Sequence, residues 1–205
     1  QKLNVKPRIG FRCKLNAKGA GKWQESSGAR SKFGLTPSEM VSGCQQLEEV
    51  DLLSGLELLH FHIGSQIPSI QAIKASIKEG ARYYTELKSI APNLSYIDVG
   101  GGLGVDYDGS GRSDNSTNYS EQEYANDVVS ILQYACNEKS IDHPNIITES
   151  GRSLVAHSSI LVFEVIGENE VSPDLKKIKV NGNDSTLVKE LYEIFQEANI
   201  DNVNE

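Results

Sequence analysis

Cysteine is scarce in this sequence. Cys13, Cys44 and Cys136 are the only three in 205 residues, and none stands in a CxxC pair. That excludes a disulfide framework and a thiolate zinc site, and it points to a reducing compartment, the cytoplasm. Positive charge is also in deficit. Twenty Lys and Arg against 28 Asp and Glu leave a net charge of −8, with no dense basic cluster. A nucleic-acid partner is therefore not expected. No apolar run approaches the roughly 18 residues of a membrane span, so no membrane partner is expected either, and no secretory leader is in view. The chain opens on Gln1 rather than Met and closes inside a helical pattern. It reads as a piece of a longer protein, long enough to hold one domain with a real core.

What is present is an alternation of strand and helix signals. Residues 8–15 alternate as a strand, and residues 16–32 are a Gly-, Ser- and Lys-rich loop holding the single tryptophan, Trp23. Gly19-Ala20-Gly21-Lys22-Trp23 is not a P-loop: Asn16 stands where the first glycine belongs, and Trp23 replaces the magnesium-binding Ser/Thr. A surface or lid loop is the better reading. Thr36-Pro37-Ser38-Glu39 starts a helix, with Thr36 as cap and Glu39 completing a capping box. A strand over 56–63 follows. Ser69 then caps a long helix carrying Ile70, Ile73, Ile77, Ala81, Tyr84 and Leu87 on one face. Next come a strand at 95–99, a polar loop from Asp106 to Asn118, and a helix capped by Ser120 with Glu123. Strands are expected at 145–149 and 159–167, and an amphipathic helix at about 185–198. This order is a βα repeat around a parallel sheet, either a barrel or a doubly wound sheet.

The chemistry gathers at strand ends. In Leu58-Leu59-His60-Phe61-His62-Ile63-Gly64-Ser65, strand alternation puts Leu58, His60 and His62 on one face and Leu59, Phe61 and Ile63 on the other. Both faces are mostly apolar, which suits a strand covered on both sides. His62 thus sits at the carboxyl end of a strand before a Gly-Ser turn, where parallel α/β folds bind ligands. His60, one layer deeper, reads as a core histidine. The His-x-His spacing also fits a metal-dependent barrel hydrolase, but His143 and His157 are poorly placed to complete a site, so metal is the weaker reading.

Gly100-Gly101-Gly102 ends another strand. Val105 stands where a dinucleotide fingerprint needs its third glycine, so a nest for a single phosphate fits better. Ser65 and Gly151-Arg152 offer similar donor chemistry at two further strand ends. Glu149 follows Ile146-Ile147-Thr148 and is a costly carboxylate there unless it meets a cation or donor. That partner is either Arg152 in a salt bridge or a protonated ring nitrogen.

Taken together, His62-Ile63-Gly64-Ser65, Asp98-Val99-Gly100-Gly101-Gly102-Leu103-Gly104 and Glu149-Ser150-Gly151-Arg152 resemble the alanine racemase-like barrel of fold-type III pyridoxal-phosphate decarboxylases. The biosynthetic arginine decarboxylases are the nearest group within it. Further support comes from Gly21 to Gln24, Ser31 to Leu35, Gln66, Gly100 to Tyr107, Asn118-Tyr119 and Glu123 to Ala125, and from Ser150 where most other members carry Pro. The resemblance implies part of a (β/α)8 barrel over residues 1–157. It implies a strand at 158–170 leading into a C-terminal β-domain, and the start of a helical insertion over 171–205.

It further implies that His62 stacks on the cofactor ring and that Ser65, Gly100, Gly101, Gly102, Gly151 and Arg152 hold its phosphate. Glu149 would pair with the pyridinium nitrogen, and Leu103, Gly104, Val105, Asp106 and Tyr107 would face substrate. The implied reaction takes L-arginine to agmatine and CO2, a step of polyamine and spermidine biosynthesis, with magnesium associated and sites formed between copies in a homo-oligomer. The alternatives are decarboxylation of ornithine or diaminopimelate, or a non-catalytic homologue that binds the cofactor. The resemblance puts the Schiff-base lysine before Gln1 and a substrate-side acid and cysteine beyond Glu205, which leaves the chain as given inert.

Overall fold

A computed structural model describes residues 5–17, 31–111, 116–167 and 179–198. The chain divides into two compact units, Gln1–Ile160 and Leu161–Glu205. The loop signals at 18–30, Trp23 among them, lie outside the described residues.

The first unit is a four-stranded parallel sheet in sequential order. Its strands are β1 (Ile9–Arg12), β2 (Leu56–His60), β3 (Tyr96–Asp98) and β4 (Asn145–Ile147), and α1 (Pro37–Glu49), α2 (Ile70–Ile90) and α3 (Glu121–Lys139) connect them. Each strand is laid beside its predecessor, so the order never doubles back as it does at the switch point of a doubly wound sheet. This is the arrangement of an arc of a (β/α)8 barrel wall.

Strand alternation decides which face is covered. Leu59, Phe61 and Ile63 are buried, together with Ile97 and Val99, in one cluster with Ile73, Ile77, Ala81 and Tyr84 of α2 and Tyr124, Val128 and Leu132 of α3. Burying each such side chain contributes about 1.5–3 kcal/mol. Gly80 lets α2 settle onto β2, because a Cβ there would overlap the Phe61 ring. The opposite face does not match the expectation of cover on both sides. Leu58, Tyr96 and Ile147 line an open cavity of about 390 Å³, and among the described residues no layer closes over it. That face is the lumen of the barrel.

The capping chemistry follows the sequence at α1 and α3, where Thr36–Glu39 and Ser120–Glu123 form complete capping boxes. It departs at α2. Ser69 occupies the cap position but makes no side-chain cap bond; Asn118 Oδ1, 48 residues away, accepts from the Ile70 N–H at 3.0 Å. The strand expected at 159–167 is absent. No neighbouring ladder among the described residues pairs with it, and its apolar side chains are exposed, from Phe163 at 73% to Ile166 at 99%. A strand signal without a partner strand satisfies none of its backbone groups. Instead, the chain after β4 turns into the short helix α4 (Gly151–Val155).

In the second unit, α5 (Thr186–Glu197) forms as its pattern predicts, with Ser185 accepting from the Val188 N–H. Leu187, Leu191, Ile194 and Phe195 make an exposed apolar stripe. No helix among the described residues is long and apolar enough to cross a membrane.

Candidate functional site: a cradle at the carboxyl ends of the strands

The register fixes which side chains meet. Arg12 pairs with His60, and His60 with Asp98. Partners in register point to the same face, so these three form one layer of the lumen. One layer further on stand His62, Gly100 and Glu149. The Glu149 N–H donates to the Gly100 carbonyl at 2.9 Å and the Val99 N–H to the Ile147 carbonyl at 3.0 Å, which ties β4 to the glycine turn.

The turn itself is built from left-handed glycines. Gly100 has φ +70° and Gly102 φ +110°, a region glycine enters without steric cost. A Cβ on Gly100 would overlap the Phe61 carbonyl oxygen, and the other two glycines are closely packed. A Cβ on Gly101 would sit 3.5 Å from His62 Cε1 and 3.3 Å from the Glu149 carbonyl oxygen, and one on Gly102 would lie 3.0 Å from Ile63 Cγ1. Asp98 holds the turn from beneath: its Oδ1 accepts from the Gly100 N–H at 2.9 Å. The Gly100 amide is therefore committed within the protein, while Gly101 and Gly102 line a cavity of about 100 Å³ with His62, Ser65, Glu149 and Arg152. Gly151 does not line that cavity; it opens α4, with nothing near its Cα for a Cβ to meet.

Arg152 reaches across this cavity. Its guanidinium donates to Ser65 Oγ at 3.1 Å and to Tyr107 OH at 3.2 Å. Both acceptors are neutral. Among the described residues no ion pair joins Arg152 to Glu149, so the salt-bridge alternative for Glu149 is not realised. Glu149 is also exposed, which corrects the expectation that its strand would bury it. Ile146 and Ile147 beside it are 37% and 40% exposed because β4 is an edge of the sheet.

His62 is half-buried. Burial lowers its pKa below the ordinary histidine value, and the Arg12 charge adds to the effect while Glu149 opposes it. His60, expected as a satisfied core histidine, has its Nδ1 3.1 Å from Asp98 Oδ2. The approach is off the line of a hydrogen bond, and Nδ1 is buried with no other partner. The two side chains are thus close without an aligned bond between them.

The segment 103–107 divides. Leu103 lines the cavity. Gly104 donates its N–H to Tyr119 OH at 3.0 Å. Val105 is buried, and Gln66 grips it twice, donating Nε2 to the Val105 carbonyl at 2.7 Å and accepting from its N–H at 3.0 Å. Asp106 caps its own turn through Gly109 N–H at 2.9 Å. Gly104 and Val105 are buried and bonded within the protein, and the exposed part of the segment is Asp106 and Tyr107. Asp98, Gln66 and Tyr119 received no role from the sequence. Asp98 carried a readable signal: it is a carboxylate closing an apolar strand directly before three glycines, the same feature that drew attention to Glu149.

Residues 1–156 match the family model described as pyridoxal-dependent decarboxylase, pyridoxal binding domain. The chain belongs to this family. Over 202 residues it is 50% identical to a biosynthetic arginine decarboxylase of Phocaeicola vulgatus, covering 97% of this chain and 32% of that protein. Over 204 residues it is 45% identical to one of Synechocystis, covering 99% and 29%. The chain thus spans about a third of the length of the curated relatives it matches. Among solved structures, the biosynthetic arginine decarboxylase SpeA of Campylobacter jejuni aligns with TM-score 0.65 and 33% identity, over 98% of this chain and 33% of that one. The diaminopimelate decarboxylase of Helicobacter pylori complexed with L-lysine aligns with TM-score 0.63 and 28% identity, over 77% and 37%.

Proposed function

We propose that this chain is the cofactor cradle of a pyridoxal-phosphate-dependent arginine decarboxylase, forming agmatine and CO2 for polyamine and spermidine biosynthesis. The observation that carries the cofactor reading is Arg152. A guanidinium held by two neutral hydroxyls, beside a glycine turn that packing keeps free of side chains, is suited to an incoming phosphate.

Bound pyridoxal phosphate supplies an electron sink for the bond to the departing carboxylate. The chain's own residues bind, orient and hold protons. Ser65, Gly101, Gly102 and Arg152 would grip the phosphate, with Gly100 shaping the turn through Asp98 and Gly151 opening the chain towards Arg152. His62, whose pKa burial lowers, would lie against the cofactor ring as a neutral imidazole. The Glu149 carboxylate would pair with the ring nitrogen of the cofactor and favour its protonated form. Tyr107, Asp106 and Leu103 form the substrate side. Residues 158–170 lead towards a C-terminal β-domain, and 171–205 begin a helical insertion.

The substrate assignment draws on the arginine decarboxylases at 45–50% identity. The homo-oligomer is drawn from the family resemblance. The cytoplasmic placement draws on three free, buried cysteines. Magnesium, which the resemblance also implies, is not assigned to this cradle. The one grouping among the described residues that approaches a metal-binding set is His60, Asp98 and Glu149. An imidazole nitrogen with two carboxylates is short of the oxygen-rich shell magnesium prefers.

Competition among arginine, ornithine, lysine and diaminopimelate, with the full-length protein, tests the substrate. Arginine is expected to be preferred, and a clear preference for any of the other three overturns the assignment.

A further inference from the structure

The reaction above gives no part to Gln66, although Gln66 lines the same cavity as Ser65 and Arg152. Its side chain is turned to the backbone of another segment. Nε2 donates to the Val105 carbonyl at 2.7 Å, and Oε1 accepts from the Val105 N–H at 3.0 Å. The amide thus satisfies both main-chain groups of Val105, as a neighbouring strand would. Gln66 also holds its own backbone at φ +52°, in the left-handed region that favours glycine. A side chain kept there against local strain points to a use for it.

The turn at 66–67 holds the segment after the glycines residue by residue. The Ile67 N–H donates to the Gly102 carbonyl at 3.0 Å, and Ile67 bridges to Leu103 in parallel register. Tyr119 OH accepts from the Gly104 N–H at 3.0 Å and donates to the Ile67 carbonyl at 2.8 Å. Gln66 then takes Val105. Beyond Val105 the segment leaves this hold: Asp106 turns back to the Gly109 N–H, Tyr107 OH meets Arg152 at 3.2 Å, and both residues are exposed. Gln66 is therefore the last clamp before the two side chains that face outward.

We propose that Gln66 is a positioning residue for the substrate side of the cradle. Its amide fixes Val105 and so sets where the Asp106 carboxylate and the Tyr107 hydroxyl stand to receive a basic amino acid. This rests on the assignment of Asp106 and Tyr107 to the substrate given above. Only a side-chain amide carries a donor and an acceptor side by side in the spacing that Val105 offers. A glutamate would accept from the Val105 N–H but set a carboxylate against the Val105 carbonyl. The phosphate groups of the cradle are Ser65, Gly101, Gly102 and Arg152, none of which depends on this amide. The two ligands are thus separable: substrate affinity follows Gln66 and cofactor affinity does not.

The test uses the full-length protein. It measures the dissociation constant of pyridoxal phosphate by fluorescence quenching, that of agmatine on the loaded protein by calorimetry, and KM and kcat for arginine. Agmatine keeps the basic side chain and has no carboxylate to lose, so it reports binding without turnover. The variants are Gln66→Asn and Gln66→Gly. Asparagine keeps the amide and tolerates the left-handed backbone, but it is one methylene too short to reach both groups of Val105. Glycine suits the backbone outright and removes the clamp. Both should raise the agmatine dissociation constant and the arginine KM about tenfold, the scale on which a lost hydrogen bond or two acts. Cofactor affinity and kcat should stay within about twofold of the parent, since a rise in KM alone marks binding shared by the ground and transition states.

A structural role alone would weaken cofactor and agmatine together and lower kcat. That pattern overturns the proposal, and so do agmatine binding and KM at their parent values. If Gln66→Asn does not fold, Gln66→Gly decides by the same readings. Asp106→Asn and Tyr107→Phe separate the two claims. If both bind agmatine like the parent, the reading of this segment as the substrate side fails, and the present inference fails with it. If they weaken agmatine binding while the Gln66 variants do not, only the present inference fails.

Discussion

The guanidinium of Arg152 stands 3.1 Å from the hydroxyl of Ser65, a residue 87 positions away in the chain. Two strand ends that β3 separates in the sheet, those of β2 and β4, thus present a hydroxyl and a cation to one small cavity. The same guanidinium touches Tyr107 OH at 3.2 Å, which connects the phosphate side of the cradle to the exposed end of the 103–107 segment.

Arg152→Ala should weaken pyridoxal phosphate binding. A hydrogen bond to a charged group is worth about 1.5–3 kcal/mol, roughly ten- to a hundredfold in affinity. Arg152→Lys should recover part of the loss, since an ammonium supplies charge without the planar fork. Equilibrium titration of the cofactor against both variants checks this, and parent-like affinity in Arg152→Ala sinks the phosphate role.

His62 makes a prediction about pH and stability. Its folded-state pKa lies below the unfolded value of about 6.5, chiefly through burial. The unfolded chain therefore binds more protons in the window below about pH 6.5, and stability rises with pH there. The contribution is complete above that window and is lost as pH falls through it. In cofactor-free full-length protein, His62→Gln should flatten the acid-side decline in denaturant midpoint between about pH 5 and 7. Separately, with cofactor present, it should weaken cofactor binding. Identical midpoint slopes for variant and parent count against a depressed His62.

Gly102 should tolerate no side chain. At φ +110°, with Ile63 Cγ1 at 3.0 Å and Ile67 Cγ1 at 3.1 Å from a built Cβ, Gly102→Ala combines backbone strain with a clash against core residues. A cost of about 1–3 kcal/mol is expected, read as a lower thermal midpoint together with weaker cofactor binding. An unchanged midpoint would show that the turn relaxes easily and is not set by packing.

Local chemistry was the part of this molecule most readable in advance. Thr36–Glu39 and Ser120–Glu123 are self-contained within four residues, and both form as their spacing dictates. The failures come where a distant partner decides. Ser69 looks like the cap of α2, but Asn118 arrives from the far end of a loop and takes the bond. Residues 159–167 have ideal strand composition and, among the described residues, no ladder to join. Glu149 follows two isoleucines and reads as buried, yet it lies on an edge strand, and edge status depends on how many strands the sheet holds. The grouping of His62, Ser65, Gly101, Gly102, Glu149 and Arg152 around one cavity was legible because each lies at or just past a strand end that the sequence marks. The Asp98–His60 contact was not, because it depends on register between two strands.

Lys32 offers a last and decisive case. It stands in Ser31-Lys32-Phe33-Gly34, just after a glycine-rich stretch, and its amine is the kind of group that forms a Schiff base with the cofactor aldehyde. Such a lysine must be desolvated and must project from a strand end into the lumen. Lys32 does neither. It is exposed, its Nζ lies 5.2 Å from the centre of the Phe33 ring, and the chain from there runs directly into the Thr36-capped helix α1. The segments that line the cavity hold a ring, a carboxylate, a hydroxyl, glycine amides and a guanidinium, and no lysine. The sheet also leaves β1 and β4 as open edges, a poor basis for an isolated working domain. When the 205-residue chain is mixed with pyridoxal phosphate, reduced with borohydride and mapped by mass spectrometry, no stoichiometric adduct at Lys32 should appear, and arginine should yield no agmatine. Full labelling of Lys32 together with agmatine formation would place the Schiff base in the loop before α1 and overturn the assignment of the cradle as a partial site.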